Sequence, residues 1–189
     1  MTEDTKSKKY DHLIEKKVAS EYIYKGKIVN LRKDVIQLPN GNQSTREIVE
    51  HEQAVVVLPF QAPNKITLIK QFRYPVDQVV LEAPAGIMDP NESPLESAKR
   101  ELAEETGLRA NKWTSLGGAY PTPGFCDEFF HFFLAEELEK GETNFDQDEN
   151  IECVEMTLED CDLLVKESKF IDCKTELMYL KFKHFILNR

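Results

Sequence analysis

The sequence predicts an α/β fold: a layered α/β/α sandwich around a mixed sheet, preceded by a small antiparallel β appendage. Three observations carry this. Residues 53–60 (QAVVVLPF) form a nearly continuous apolar run of strand length, as a strand covered on both faces requires. Segments rich in β-branched and aromatic residues stand on either side of one strongly capped helical stretch, residues 93–107. A further helical pattern closes the chain, so helices are available for both faces of a sheet.

In chain order, residues 1–9 read as a charged tail. From Tyr10 to Glu50 apolar and polar residues alternate as in short half-buried strands, and Pro39-Asn40-Gly41 marks a turn with a return strand after it. Tyr22 and Tyr24, in this region, are read as core residues or as a stacking surface for a purine. Residues 53–60 and 65–71 form a hairpin, and Pro75, Pro84 and Gly86 break the following stretch into a strand end, a loop and a short extended piece. After the central helix, residues 111–120 and 129–137 read as strands flanking the loop PTPGFCDE. Residues 138–149 form an acidic loop, 151–156 a strand, and 157–167 a helix capped by Thr157 with Asp160 in the capping-box position. The last helix, 172–187, is expected to bury Leu177, Leu180 and Phe185.

Composition bounds the function. The chain has 189 residues, 41% of them hydrophobic, enough for one globular domain over 51–189 and an appendage over 1–50. A net charge of −10 without a basic stripe argues against binding nucleic acid through its backbone. No run approaches the roughly 18 apolar residues of a membrane span, and the polar N-terminus is not a signal peptide. Cys126, Cys153, Cys161 and Cys173 show no zinc spacing and read as free thiols of a cytoplasmic protein.

The central helix carries the chemistry. Ser93, Pro94 and Glu96 open it as a capping box, Gly107 closes it, and Leu95, Ala98 and Leu102 make its apolar face. Glu101, Glu104 and Glu105 crowd its final turn, where the helix dipole is already negative. Like charges four residues apart cost roughly 0.2–0.5 kcal/mol per pair. Arg100 can pair with Glu104 but cannot neutralise all three. A solvated acidic face is the ordinary outcome of such a run; a bound multivalent cation is the chemical one.

The wider spacing favours the cation. Gly86, Glu92, Arg100, Glu101, Leu102, Glu104, Glu105, Gly107 and Leu108 fit G-x5-E-x7-R-E-U-x-E-E-x-G-U, with U aliphatic, at every defined position. The stretch resembles the Nudix box. Four further segments resemble the ADP-ribose and nucleoside diphosphate sugar pyrophosphatase branch of that family: Arg46-Glu47 before HEQAVVVLPF, KQFRYPV with Arg73, LEAPAG, and YPTPGFCDE. The resemblance implies hydrolysis of the pyrophosphate bond of ADP-ribose to AMP and ribose 5-phosphate. Other nucleoside diphosphate sugars, such as GDP-mannose or UDP-hexoses, are the alternative, and a non-catalytic ADP-ribose sensor a more distant one.

It also implies Mg²⁺, with Mn²⁺ as a substitute, held by Glu101, Glu105, Glu149 and the Ala85 carbonyl. Glu149 is the candidate general base, with Asp146 and Asp148 as neighbours able to replace it, and Glu104 and Arg100 complete the catalytic set. Arg46, Arg73, Glu82, Pro123, Gly124 and Glu128 are the expected substrate-binding residues. Arginine suits this role because its guanidinium forks onto phosphate oxygens. Surface ion pairs are the competing reading of both arginines, and a surface carboxylate that of Glu82. The branch further implies a homodimer with exchanged N-terminal strands.

Overall fold

The computed structural model describes residues 9–141 and 150–188, which fall into two compact units. The first contains the described residues up to Glu52 together with Thr122–Glu128; the second contains Gln53–Pro121 and the described residues from Phe129 on. The assignment of Thr122–Glu128 to the first unit differs from its expected place within a continuous 51–189 domain. Its strand-like link explains this: the Val49 amide donates to the Phe125 carbonyl at 2.8 Å, and the Asp127 amide donates to the Val49 carbonyl at 3.2 Å.

The first unit is a three-stranded antiparallel sheet of β1 (Lys16–Lys25), β2 (Val29–Gln37) and β3 (Gln43–His51), in that order. Gly41, at φ 89°, makes the β2–β3 turn where Pro39-Asn40-Gly41 predicts one. All ten residues of β1 are exposed in the single chain, Tyr22 and Tyr24 among them, so neither is the core residue the sequence suggested. The Tyr22 hydroxyl donates instead to Glu50 at 3.0 Å.

The second unit is built on a seven-stranded mixed sheet. Its path runs β10 (Ile151–Thr157), β5 (Lys65–Arg73), β4 (Ala54–Gln61), β9 (Phe130–Lys140), β8 (Leu108–Ala119); β6 (Gln78–Glu82) pairs with β5, and β7 (Ala85–Ile87) with β4. The β4–β9 pair is parallel and the others are antiparallel. The stretch read as a strand end and loop before the box thus holds a full strand, β6, because Gln78–Glu82 completes the ladder of Ile69–Arg73. β9 runs on to Lys140, into the expected acidic loop, of which residues 142–149 lie outside the described residues.

Period-two alternation divides the apolar residues between two layers. Val55 and Val57 of β4, with Phe133 and Ala135 of β9, pack with Ala98 and Leu102 of α1 (Pro94–Thr106). Val56, Leu58, Phe132 and Leu134 point the other way, into a cluster with Cys161 of α2 (Leu158–Lys166) and Met178, Tyr179 and Phe182 of α3 (Cys173–Leu187). Helices thus cover both faces of the central strands, and residues 54–60 (AVVVLPF) are apolar throughout for that reason.

One helix face is out of phase with expectation. α3 buries Thr175, Met178, Tyr179 and Phe182, at i, i+3, i+4 and i+7, while Leu177 and Leu180 are exposed. Residues 177–187 are apolar on more than one side, so periodicity alone did not select the buried stripe.

Candidate active site

α1 forms where its end signals place it. The Ser93 hydroxyl accepts from the Glu96 amide, and the Glu96 carboxylate accepts from the Ser93 amide at 2.8 Å. Gly107, at φ 68°, ends the helix in the left-handed conformation that glycine tolerates, with its amide on the Ala103 carbonyl at 2.9 Å. The helix phase set by Ala98 and Leu102 carries Glu101 and Glu105 inward, and both are buried. Glu104 remains half-exposed at the side.

Arg100 does more than the expected pairing with Glu104. Its Nη1 donates to Glu101 Oε1 at 2.6 Å and to Glu104 Oε2 at 3.0 Å, and its Nη2 donates to Glu92 Oε2 and the Ile87 carbonyl, each at 3.1 Å. One guanidinium therefore gathers three box glutamates. Burial opposes its charge, yet the hydrogen bond to Glu92 and the charge of Glu101 outweigh burial and hold its pKa above the ordinary range. The Glu92 carboxyl is correspondingly depressed to about 2, by the hydrogen bond from Arg100 first and that from Ser97 second. Glu92, Glu101, Glu104 and Glu105 against Arg100 still leave a formal excess of three negative charges.

β7 brings the backbone against these carboxylates. The Ala85 amide donates to Glu105 Oε2 at 2.9 Å. A Cβ placed on Gly86 would lie 2.1 Å from Glu101 Oε1, so any larger residue here would displace that carboxylate from its present position. Two buried carboxylates beside a close backbone turn fit a hard divalent cation, which takes oxygen ligands. Among the described residues no group of three or more His, Cys, Asp or Glu side chains closes around a common point. Glu149, the expected further ligand and base, lies outside the described residues, as do Asp146 and Asp148.

A second charged cluster stands at the end of β5. Arg73 Nε and Nη2 donate to the two oxygens of Glu82 at 2.7 and 2.8 Å, and Lys174 of α3 donates to Glu82 as well. Burial opposes ionisation of Glu82, but the hydrogen bond from Arg73 and the charge of Lys174 together hold its carboxyl below the usual range. Arg73 is pushed up, by the Glu82 hydrogen bond first against burial, with the charge of Glu105 contributing. Glu82 is only 1% exposed with both oxygens engaged, so it is not the surface carboxylate of the competing reading.

The remaining expected contacts lie in the first unit. Arg46 is exposed and ion-paired with Glu15. Pro123 and Gly124 lie in the Thr122–Glu128 segment, and Glu128 lies 3.6 Å from His51 Nδ1. Lys174, Asp172 and Thr175 were not singled out from the sequence. A signal existed: Lys174 is a cation in the first turn of a helix, where the dipole disfavours it.

Comparison with known proteins identifies the family. Residues 50–172 match the NUDIX domain, and residues 15–49 the nucleoside diphosphate sugar hydrolase N-terminal domain. The fold and the box together define a hydrolase of the metal-dependent diphosphate class. The chain belongs to the Nudix family. It is 44% identical over 175 residues to an ADP-ribose pyrophosphatase of Bacillus subtilis (strain 168), covering 90% of this chain and 95% of the relative. It is 36% identical over 179 residues to a methanol dehydrogenase activator of Bacillus methanolicus, covering 93% and 97%. A GDP-mannose pyrophosphatase of Yersinia enterocolitica is 34% identical over 150 residues, 74% of this chain and 78% of the relative. The fold also matches a crystal structure described as an ADP compounds hydrolase, with a TM-score of 0.84 at 20% identity over 93% of this chain and 96% of that one.

Proposed function

We propose that this Nudix hydrolase cleaves the pyrophosphate bond of ADP-ribose to AMP and ribose 5-phosphate. The observation that carries the reading is the pair Glu101 and Glu105, buried in the last turn of α1 against the Ala85–Gly86 backbone. Those carboxylates and the Ala85 carbonyl would hold Mg²⁺, or Mn²⁺ in its place. The ion, when bound, supplies Lewis-acid polarisation of the phosphoryl oxygens and lowers the pKa of the attacking water.

The chain's own residues do the rest. Arg100 keeps Glu101 and Glu104 gathered on one side of the helix, Glu105 is aligned by the Ala85 amide, and Arg73 presents a guanidinium to the diphosphate. Water adds its oxygen to one phosphorus, the bridging P–O bond breaks, and a carboxylate takes the water's proton; Glu149 is the candidate. Arg46, Pro123, Gly124 and Glu128 are proposed to bind the ends of the substrate. The appendage 1–50 is proposed to form a homodimer by strand exchange, which the full exposure of β1 and its Val18, Tyr22, Ile23 and Tyr24 supports. Four unpaired cysteines support a reducing cytoplasm.

The test is a substrate panel of ADP-ribose, GDP-mannose and UDP-glucose with purified protein and Mg²⁺, products separated by chromatography. AMP and ribose 5-phosphate formed with the highest kcat/KM from ADP-ribose bear the reading out. Preference for GDP-mannose, the substrate in the name of one relative, replaces it with the alternative. Binding of ADP-ribose without turnover would indicate the sensor.

A further inference from the structure

We propose that Lys174 is a positioning residue of this site: together with Asp172 and Thr175 it uses the first turn of α3 to hold Glu82, and through Glu82 the Arg73 guanidinium, in register with the carboxylates of α1. The inference rests on the reading of the site as a pyrophosphatase.

Four observations carry it. Lys174 stands where the helix dipole disfavours a cation, so its place needs a partner to offset the cost. That partner is double: Nζ donates to Glu82 and, at 2.9 Å, to Asp172 Oδ2, and the Lys174 side chain is largely withdrawn from solvent. The next residue grips the same backbone. Thr175 Oγ1 accepts the Ala83 amide at 2.7 Å and donates to Asp172 Oδ2 at 2.5 Å. Two residues on, the Ala85 amide reaches Glu105. The Glu82–Ala85 stretch is thereby pinned by α3 at one end and by α1 at the other. It lies between the two helices that cover opposite faces of the sheet.

The fourth observation is the charge count. Arg73 and Lys174 face Glu82 and Asp172, so the cluster is neutral, and it lines a cleft of about 280 Å³ that also contains Gln78 and Ile171. Lys174 and Asp172 add charges that cancel, so what they contribute is orientation: Lys174 fixes the carboxylate onto which the Arg73 guanidinium forks. The residue acts through Arg73 and does not itself touch substrate.

The test compares wild type with Lys174→Met and Lys174→Arg by three measurements: steady-state kinetics on ADP-ribose, the Arg73 Nε–Hε NMR resonance without substrate, and thermal unfolding. Lys174→Met should lower kcat by about tenfold, short of the roughly hundredfold that a 1 Å misplacement of a site group can cost, with KM changing less. The Arg73 resonance should shift and exchange faster with water, and Lys174→Arg should restore both. An unmoved Arg73 resonance, or a lowered melting temperature with unchanged kcat, overturns the proposal. Should Lys174→Met not fold, Lys174→Gln, which keeps a hydrogen bond to Glu82 without the charge, takes its place with the same readouts. If wild type fails to cleave ADP-ribose, the functional reading falls, and the Arg73 resonance still decides whether Lys174 positions the guanidinium.

Discussion

Two charged clusters flank the same backbone stretch and differ in one respect. Around α1, Arg100 meets Glu92, Glu101 and Glu104, with Glu105 beside them, and negative charge is left over. Around α3, Arg73 and Lys174 balance Glu82 and Asp172. Burying charge is costly unless it is paired. The balanced cluster holds Arg73 in a fixed orientation. The α1 cluster carries an excess of formal negative charge that a divalent cation would offset.

The largest expected effect breaks the unbalanced cluster. Glu101→Gln or Glu105→Gln should lower turnover at saturating Mg²⁺ at least about a hundredfold, because the cation's contribution to the transition state is several kcal/mol. Thermal unfolding of each variant without metal, run alongside, checks that the fold is kept when the partner of Arg100 or of the Ala85 amide is changed. Near-normal turnover in either variant would remove the metal assignment.

Breaking the balanced cluster should act on stability first. Glu82→Gln leaves Arg73 and Lys174 facing each other without their shared carboxylate. Removing one partner of a fully buried pair costs about 3–5 kcal/mol; Arg73 is partly solvated, so a loss of about 2 kcal/mol in denaturant unfolding is expected here. An unchanged midpoint would mean that the cluster contributes no support.

pH separates the two clusters further. Glu92 has a carboxyl pKa near 2 in the folded protein against an ordinary 4.5, so between those values the unfolded chain binds more protons. Stability from this group is therefore complete above about 4.5 and drains away as the pH falls toward 2. The depressed Glu82 carboxyl acts in the same direction. Thermal unfolding of Glu92→Gln followed from pH 6 downward should show a shallower acid decline than wild type; parallel curves would place the acid sensitivity elsewhere.

The smallest effect concerns the helix that frames the site. Ser93→Ala removes the cap and should cost about 1 kcal/mol with kcat unchanged, measured by thermal unfolding alongside kinetics.

Much of this was legible in the sequence where local chemistry dictates local structure. The Ser93–Glu96 box, the Gly107 stop and the Thr157–Asp160 box are short-range hydrogen-bonding devices, and each appears where its residues stand. Residues 54–60 announce a two-faced strand because no position among them is polar enough for solvent. The phase of α3 was not legible, because Leu177 and Leu180 offer as plausible a stripe as Met178 and Phe182, and only contact with β4 and β9 decides between them. The burial of Glu82 was hidden for the same reason: its partners Arg73 and Lys174 lie 9 and 92 residues away. Glu101 and Glu105 were visible because the box spacing fixes them on one helix. The side of the helix that Arg100 gathers depends on Glu92, brought in by the turn before Ser93.

The central claim is that the excess negative charge on α1 is a divalent-cation site. Its most direct test is titration of the protein with Mn²⁺ followed by electron paramagnetic resonance, for wild type, Glu105→Gln and Glu82→Gln at a temperature where all three are folded. Wild type and Glu82→Gln should bind Mn²⁺ with similar affinity, and Glu105→Gln should lose most of it. Equal affinity in wild type and Glu105→Gln would contradict the claim.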